Sequence, residues 1–338
     1  MASDANSIIY RQLTDRRERL SAVLPESGES ATHLNHLLQE VDAALERFEH
    51  GTFGICETCH DSIEADRLLA DPLMRFCLDH LNPAQQQSLQ EDLDLAARIQ
   101  TGLLPKQNLT SLGWRASYRY RAAGPVSGDY CDLVAGEDGA LYFMLGDVSG
   151  KGIAASMLMA HLHAMFRTLI SLQLPFHQLM ARASRVFCES TLPTHYATLV
   201  CGRALRNGEI ELCNAGHVPP LIIQEEKVAR VEATGLPVGL FNNQEFAVSR
   251  LALVEGSTML LYTDGLPEAR NSQETEYGIP RLLDWARCHR ALSPSDLVES
   301  LDKELRAFQA GAPASDDLSI MAIQRAVPGY TVPCEGTV

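Results

Sequence analysis

The chain has no long uninterrupted apolar run. Nothing in it approaches the roughly 20 consecutive apolar residues that span a bilayer. Its N-terminus, Met1-Ala2-Ser3-Asp4, lacks a basic segment followed by an apolar one, which argues against a secretory signal. A cytoplasmic location, away from membranes, is the expectation. Positive charge is also scarce: 28 Lys and Arg stand against 43 Asp and Glu, for a formal net charge of −15. That balance opposes non-specific nucleic-acid binding, which relies on cations neutralising phosphates. It also disfavours an anionic membrane surface. No internal repeat or low-complexity segment is present. What is there suits globular domains: 338 residues, 46% of them hydrophobic, allow two domains with proper cores plus connectors. Nine cysteines in a cytosolic chain are not expected to form disulfides. Six of them, Cys131, Cys188, Cys201, Cys213, Cys288 and Cys334, are scattered and read as small buried hydrophobes or idle thiols.

The N-terminal third reads as helix. Residues 6–24 carry Ile8, Ile9, Leu13, Leu20 and Val23 at recurring positions. A turn is expected at Pro25–Ser30. A second helix follows, with Leu34, Leu37, Leu38, Val41, Leu45 and Phe48 at heptad-like spacing, so the two can pair as a short antiparallel hairpin. A third helical stretch covers residues 83–104. Its Leu89, Leu93, Ala96, Gln100 and Leu103 alternate in spacing between four and three, a coiled-coil or domain-packing seam. Pro105 stops it.

Beyond residue 112 short β runs alternate with amphipathic helices. Strands are expected at Leu141–Leu145, Ala197–Ala204, Glu209–Cys213, Pro220–Gln224, Thr258–Tyr262 and Leu318–Ile323. Helices are expected at Ile153–Leu172, His177–Ser190, Ile279–Arg290 and Pro294–Phe308, the last opened by Ser293 as N-cap with Pro294 and Asp296 in the first turn. Helices come in pairs between groups of strands and strict βαβ alternation is absent. An α/β sandwich of antiparallel sheets is therefore expected over a doubly wound parallel sheet.

Cys56-x2-Cys59, followed after residues 60–76 by Cys77-x2-His80, offers four soft or borderline ligands in two tight knuckles. That set suits tetrahedral zinc in a closed structural site. His60 is a reserve ligand with poor geometry beside Cys59. The run from Ala44-Leu45-Glu46-Arg47-Phe48 through Gly51-Thr52-Phe53-Gly54-Ile55-Cys56 to Leu68-Leu69-Ala70-Asp71-Pro72 resembles the DksA/TraR zinc-finger family over residues 35–82. His80 stands where that family usually has its fourth Cys. The hairpin is short for the coiled coil with which the family's RNA polymerase regulators reach their target, at about 20 residues or roughly 30 Å per arm. Glu57, Asp61, Glu64, Asp66, Asp71 and Asp79 outnumber Arg67 and Arg75, which argues against DNA reading. A structural or partner-docking knuckle is the main expectation.

Four acidic motifs lie further on: Ser127-Gly128-Asp129-Tyr130, Gly146-Asp147-Val148-Ser149-Gly150-Lys151-Gly152, Tyr262-Thr263-Asp264-Gly265 and Ser315-Asp316-Asp317-Leu318. Each alone reads as a turn. Carboxylates that converge repel one another unless something positive sits between them, and hard divalent cations are the usual answer. Gly146–Gly152 does not fit a nucleotide phosphate loop, because only three residues separate Gly146 from the Gly150-Lys151 pair and Gly152 follows. No Cys or Ser in these motifs has a recognisable activating partner, which argues against covalent catalysis.

The motifs, in this order, resemble the metal-dependent PPM serine/threonine phosphatases in the branch of RsbU and SpoIIE. The similarity covers residues 90–325. It includes Ala96-Ala97-Arg98-Ile99-Gln100-Thr101-Gly102-Leu103-Leu104-Pro105 and Asn214-Ala215-Gly216-His217-Val218-Pro219-Pro220. The resemblance implies that Asp147 bridges two Mn²⁺ or Mg²⁺ ions with the Val148 carbonyl beside it. Asp129 would help hold one ion, and Asp264 and Asp316 the other. Asp317 follows the matching position and is expected as a solvated or capping carboxylate. Two ions can activate a water and neutralise phosphoryl oxygens during in-line attack on a phosphomonoester. The acid for the leaving oxygen is open: Ser149 and Gly150 stand where some branches have a His, and His217 is the candidate, with loop structure as its other reading. Lys151 is either a phosphate attractor or a solvated helix-start lysine.

The expected organisation is a helical hairpin (1–50), a zinc finger (51–82), a helical linker (83–106), a PPM-type α-β-β-α domain (107–326) and a tail (327–338). Its expected activity is hydrolysis of phosphoserine or phosphothreonine on a signalling partner. By resemblance that partner is a STAS-type anti-anti-sigma factor. The linker suggests a homodimer. The alternatives are a catalytically degenerate scaffold and a zinc-finger regulator that binds RNA polymerase.

Overall fold

The computed structural model describes residues 2–23, 29–80, 83–225 and 227–326. Most of the turn expected at 25–30, the tail from 327 and Cys334 lie outside the described residues. The chain divides into two compact units, residues 1–92 and 93–338.

In the first unit, α1 (Ala2–Val23) and α2 (Glu29–Glu49) run antiparallel. Tyr10 meets Phe48 edge-on near one end, and Arg17 Nε lies 2.6 Å from Asp42 Oδ1 further along. Ile9, Leu13, Val41 and Ala44 are buried on the facing stripes. They share a single core with Cys56, Ile63, Leu68 and Cys77, so the hairpin and the knuckle bury one another. The knuckle adds α3 (Ala65–Ala70) and a 3₁₀ turn at Leu78–His80. The next helix is α4 (Pro83–Leu103).

The second unit is a four-layer sandwich. Strands β1 (Asn108–Ser111) and β2 (Trp114–Arg121) form a hairpin. β3 (Asp129–Ala135) and β4 (Leu141–Val148) form another. Helices α5 (Gly152–Ser171) and α6 (Phe176–Ser190) follow. Then come β5 (Ala197–Ala204), β6 (Glu209–Ala215), β7 (Leu221–Ile223), β8 (Val228–Arg230), β9 (Ser249–Ala252) and β10 (Thr258–Tyr262). Helices α7 (Ile279–Cys288) and α8 (Pro294–Gln309) and strand β11 (Leu318–Arg325) complete it. One sheet has the order β1-β2-β11-β10-β7-β8, the other β3-β4-β5-β6-β9. Among the described residues, neighbouring strands in both sheets pair antiparallel.

Strand periodicity builds the layers, because successive side chains point to opposite faces. Leu141, Phe143 and Leu145 of β4 face the other sheet, where they meet Met259, Leu261, Met321 and Ile323. Tyr142 and Met144 face the other way, onto Leu162, Phe166 and Phe187 of α5 and α6. Leu260 and Tyr262 of β10 likewise pack on Leu282, Trp285, Leu297 and Leu301 of α7 and α8. Ser293 accepts the Asp296 N–H at the start of α8, the N-cap read from the sequence.

Two expectations need correction. Helix α5, at 20 residues, is long and apolar enough by composition to cross a membrane, although no stretch was expected to come near that limit. Its Met159, Leu162, Phe166, Leu169 and Ile170 are spent on the domain core. Five strands, β1, β2, β3, β8 and β9, were not foreseen. β2 hides behind its arginines. Arg121 Nη1 lies 3.0 Å from Oδ1 of buried Asp302 on α8, and Arg119 Nε lies 3.4 Å from Oδ2 of the same carboxylate.

Candidate active site

The alternation that buries Leu141, Phe143 and Leu145 also turns Asp147 toward the opposite sheet, at the strand's end. Cys131 and Leu133 do the same for Asp129 at the start of β3. The β3–β4 register sets Asp129 directly opposite Asp147. Two carboxylates are thus fixed side by side at one open end of the sandwich.

The facing sheet supplies the rest. Thr263, just past β10, and Ser319 of β11 are joined by two bonds: the Thr263 N–H donates to the Ser319 carbonyl at 3.0 Å, and the Ser319 N–H to Thr263 Oγ1 at 3.0 Å. Both hydroxyls donate to Asp129 Oδ2, at 3.0 and 2.6 Å. Asp264 follows Thr263, and Asp316 lies three residues before Ser319. Gly265 lets these two turns touch: a Cβ there would sit 1.9 Å from the Asp317 carbonyl oxygen. Gly128 permits a similar approach, since its Cβ would lie 3.1 Å from Asp147 Oδ1 and 3.4 Å from the Val148 carbonyl oxygen.

The electrostatics follow from this crowding. Asp129 is 1% exposed. Burial, then the charge of Asp147, push its carboxyl well above the usual range, although the Ser319 and Thr263 hydroxyls pull the other way. Burial and the charges of Asp264, Asp316 and Asp317 push Asp147 up to about 7. Asp264 is raised by burial and by Asp316. Lys151 Nζ lies 3.0 Å from Asp316 Oδ2, a side-chain cation drawn onto the acidic cluster. An all-oxygen donor set with excess negative charge fits hard divalent cations. Asp317 takes a different part. Its Oδ1 accepts the Ala123 N–H at 2.7 Å and its Oδ2 the Gly128 N–H at 2.9 Å, so it caps the loop before β3.

His217 requires a correction. It is 5% exposed, and both ring nitrogens are engaged. Nε2 lies 3.1 Å from the Tyr262 carbonyl, which can only accept, so Nε2 carries the proton and Nδ1 accepts from Thr198 Oγ1 at 2.9 Å. Burial lowers its pKa to about 4. No ring N–H is left for a leaving group. Thr198 stands opposite Asp147 in the β4–β5 register, and Tyr262 precedes Thr263-Asp264. The imidazole therefore ties the two sheets together behind the carboxylates. Sequence reasoning missed this part, along with Thr198, Thr263 and Ser319, because nothing local marks a hydroxyl or imidazole whose partner lies on another sheet.

The second candidate centre is in the first unit. One ligand atom each from Cys56, Cys59, Cys77 and His80 lies within 4.8 Å of the others. Among the described residues no other group of three or more His, Cys, Asp or Glu is drawn in so closely, and the carboxylates of the second unit are spread more widely. Burial alone would raise the Cys56 thiol, but the backbone N–H groups of Cys59, Cys77 and Thr58 outweigh it and bring it down to about 6. Cys59 goes the other way: the backbone N–H of Asp61 pulls it down, but burial and its contacts with the Cys56 and Cys77 thiols outweigh that and push it up to about 11, so one thiolate is favoured at the expense of its neighbour. The closed Cys₃His set fits zinc. His60 adopts a left-handed backbone (φ 62°) and is exposed outside this group.

Residues 137–326 match the sequence profile of the family described as Stage II sporulation protein E (SpoIIE). The chain belongs to the SpoIIE family. Asp147, Asp264 and Asp316 fall inside that match, and Asp129 lies just before it. Residues 51–79 match the prokaryotic dksA/traR C4-type zinc finger, a match that ends one residue before His80. Among curated relatives, the chain is 25% identical over 263 residues to Protein IcfG of Synechocystis, covering 69% of this chain and 41% of that protein. It is 28% identical over 233 residues to the phosphoserine phosphatase RsbP of Bacillus subtilis, covering 67% of this chain and 56% of that one. The chain thus spans about half the length of these two relatives. Among solved structures, the RsbU and RsbW domains of Rv1364c from Mycobacterium tuberculosis superpose with a TM-score of 0.57 at 26% identity, covering 67% of this chain and 62% of that one. The SiaA-PP2C domain of Pseudomonas aeruginosa superposes with a TM-score of 0.63 at 19% identity, covering 72% of this chain and 99% of that one, so the antiparallel sandwich with outer helices is a PP2C-type fold.

Two outcomes are expected. Asp147 is protonated more readily folded than unfolded, so its contribution to stability is full at low pH and is lost as pH rises through about 7. In metal-free buffer the wild-type midpoint should rise by roughly 3–5 °C from about pH 8 to about pH 5.5. Asp147→Asn should flatten that slope; equal slopes in thermal-shift scans would contradict the assignment. Elemental analysis should find about one zinc per chain and near none in Cys56→Ser.

Proposed function

We propose that this chain is a metal-dependent protein phosphatase that hydrolyses phosphoserine or phosphothreonine on a signalling protein. The observation that carries this reading is the convergence of Asp129, Asp147, Asp264 and Asp316 from two sheets onto one end of the sandwich. In this reading Asp147 would help hold two Mg²⁺ or Mn²⁺ ions, with the Val148 carbonyl beside it. Asp264 and Asp316 serve one site. Asp129 would serve the other: both of its hydroxyl donors fall on Oδ2, and Oδ1 receives neither of them. Bound ions would supply the water activation and charge neutralisation that phosphomonoester hydrolysis needs. Lys151 is exposed, and a cation taking Asp316 would free its ammonium to attract the phosphate. His217 positions the two strand ends from behind.

The partner class supported by the resemblance to RsbU and SpoIIE is a STAS-type anti-anti-sigma factor, in the cytoplasm. The zinc finger then serves as a structural or docking module. A homodimer through α4 remains part of the proposal, but by another face than the 89–103 seam. Gln100 is buried and Leu103 packs on its own domain, whereas Leu95 and Ile99 are 49% and 58% exposed. Light scattering should give a dimer for the wild type and a monomer for Ile99→Asp; a wild-type monomer at all concentrations removes this element.

The activity is tested on a phosphoserine peptide with Mn²⁺. Asp147→Asn and Asp264→Asn should each lower kcat/KM by about 10²-fold or more, as loss of transition-state charge stabilisation does. His217→Gln should lower kcat without removing a limb of the pH–rate profile. Undiminished activity in both Asp variants would overturn the mechanism.

A further inference from the structure

Residues 122–128 link β2 to β3 and run beside the candidate site. Among the described residues this stretch takes part in no backbone–backbone hydrogen bond outside the regular elements. Side chains hold it instead. Asp317 accepts from Ala123 and Gly128. The other holder is Gln100, on α4, whose side-chain amide engages both backbone groups of Ser127. Its Nε2 donates to the Ser127 carbonyl at 2.7 Å, and its Oε1 accepts the Ser127 N–H at 3.0 Å. A neighbouring strand would satisfy a residue in the same two-point way.

The consequences run straight to the carboxylates. Gln100 is 7% exposed and Ser127 fully buried, so the clamp satisfies polar groups that are largely shielded from solvent. Ser127 Oγ accepts the Asp129 N–H at 3.1 Å, which fixes where β3 begins. Gly128, the next residue, is packed closely: a Cβ there would lie 3.1 Å from Asp147 Oδ1, 3.3 Å from Ala155 Cβ and 3.4 Å from the Val148 carbonyl oxygen. A shift of Ser127 would therefore change the space between Asp129 and Asp147.

We infer that Gln100 is a positioning residue that sets cation affinity at the Asp129–Asp147 side of the site, and that α4 acts on the centre through it. The inference rests on reading those aspartates as metal carboxylates. A buried amide that merely satisfies a loop would affect folding alone. A positioning amide separates metal affinity from turnover, because the carboxylates remain and only their pre-arrangement is lost.

The test uses the full chain and Gln100→Met, which keeps length and helix propensity but removes both hydrogen bonds. Mn²⁺ binding is read directly, by electron paramagnetic resonance of the free ion, and beside it in an activity titration. The half-saturating Mn²⁺ concentration should rise about tenfold or more, with kcat at saturating Mn²⁺ within about threefold of wild type. Amide exchange at residues 127–129 should accelerate while β4 stays protected. Should that variant fail to fold, Gln100→Glu, which keeps an acceptor for the Ser127 N–H and loses the donor, carries the same expectation. An unchanged half-saturating concentration, or a fall in kcat without a change in affinity, would overturn the inference and leave the proposed function standing. A wild-type chain whose Mn²⁺ binding is untouched by Asp147→Asn would overturn the metal reading itself.

Discussion

Carboxylates that strand geometry forces together are the constraint around which this domain is arranged. Period-two alternation and the β3–β4 register leave Asp129 and Asp147 facing each other at the sandwich's open end. In water two such groups would part; on paired strands they cannot. The surrounding residues divide the burden. Thr263 and Ser319 give hydroxyls to one oxygen of Asp129, Lys151 reaches Asp316, and Asp317 is turned away onto backbone N–H groups. None of these removes the excess negative charge around Asp147, and its pKa is raised by burial first and by that imbalance second.

The polar links behind the carboxylates have a common form: one side chain joins two layers. His217 connects β5 to the end of β10. Asp132, three residues along β3 from Asp129, takes a two-point grip from Arg167 of α5 at 2.7 and 2.6 Å, with His163 Nε2 3.7 Å away. Asp302 on α8 gathers Arg119, Arg121 and Arg306. Breaking one partner of a buried charge of this kind is strongly destabilising. The sheets are thus pinned to each other and to their helices close to the site, while the apolar core fills the middle.

Much of this was legible in the sequence, for reasons that can be named. Continuous apolar runs marked β4, β5, β10 and β11, because strands buried on both faces leave no polar alternation. Asp147 and Asp264 stood out as acids beside glycine at the ends of such runs, and Asp316 as an acid just before the run of β11. The Cys-x2-Cys and Cys-x2-His pairs were readable because zinc ligation is local in spacing. What escaped was non-local. β2 carries arginines whose partner is Asp302, more than 180 residues away. β3 holds Asp132 within its strand, neutralised only by a helix that comes later. Gln100 fell on a helical seam and read as packing, although its partner is the backbone of a loop. His217 sat in a Gly- and Pro-rich loop that looked open, and it is enclosed by two sheets.

The contact between Gly265 and the carbonyl of Asp317 has a kinetic meaning. It closes only when β10 and β11 have paired, and Asp129 then finds Ser319 from 190 residues away in the chain. Contacts of such separation come late, after loop-closure entropy has been met by other parts of the fold. The complete acidic centre therefore needs β2, β10 and β11 in place, since β2 and β11 pair across a similar separation. Asp129 and Asp147 already face each other in the β3–β4 hairpin, whereas Asp264 and Asp316 reach them only at that step, so the repulsion these two add does not oppose the earlier stages of collapse. That part of the cost of gathering like charges is deferred to the moment when the rest of the sandwich can bear it.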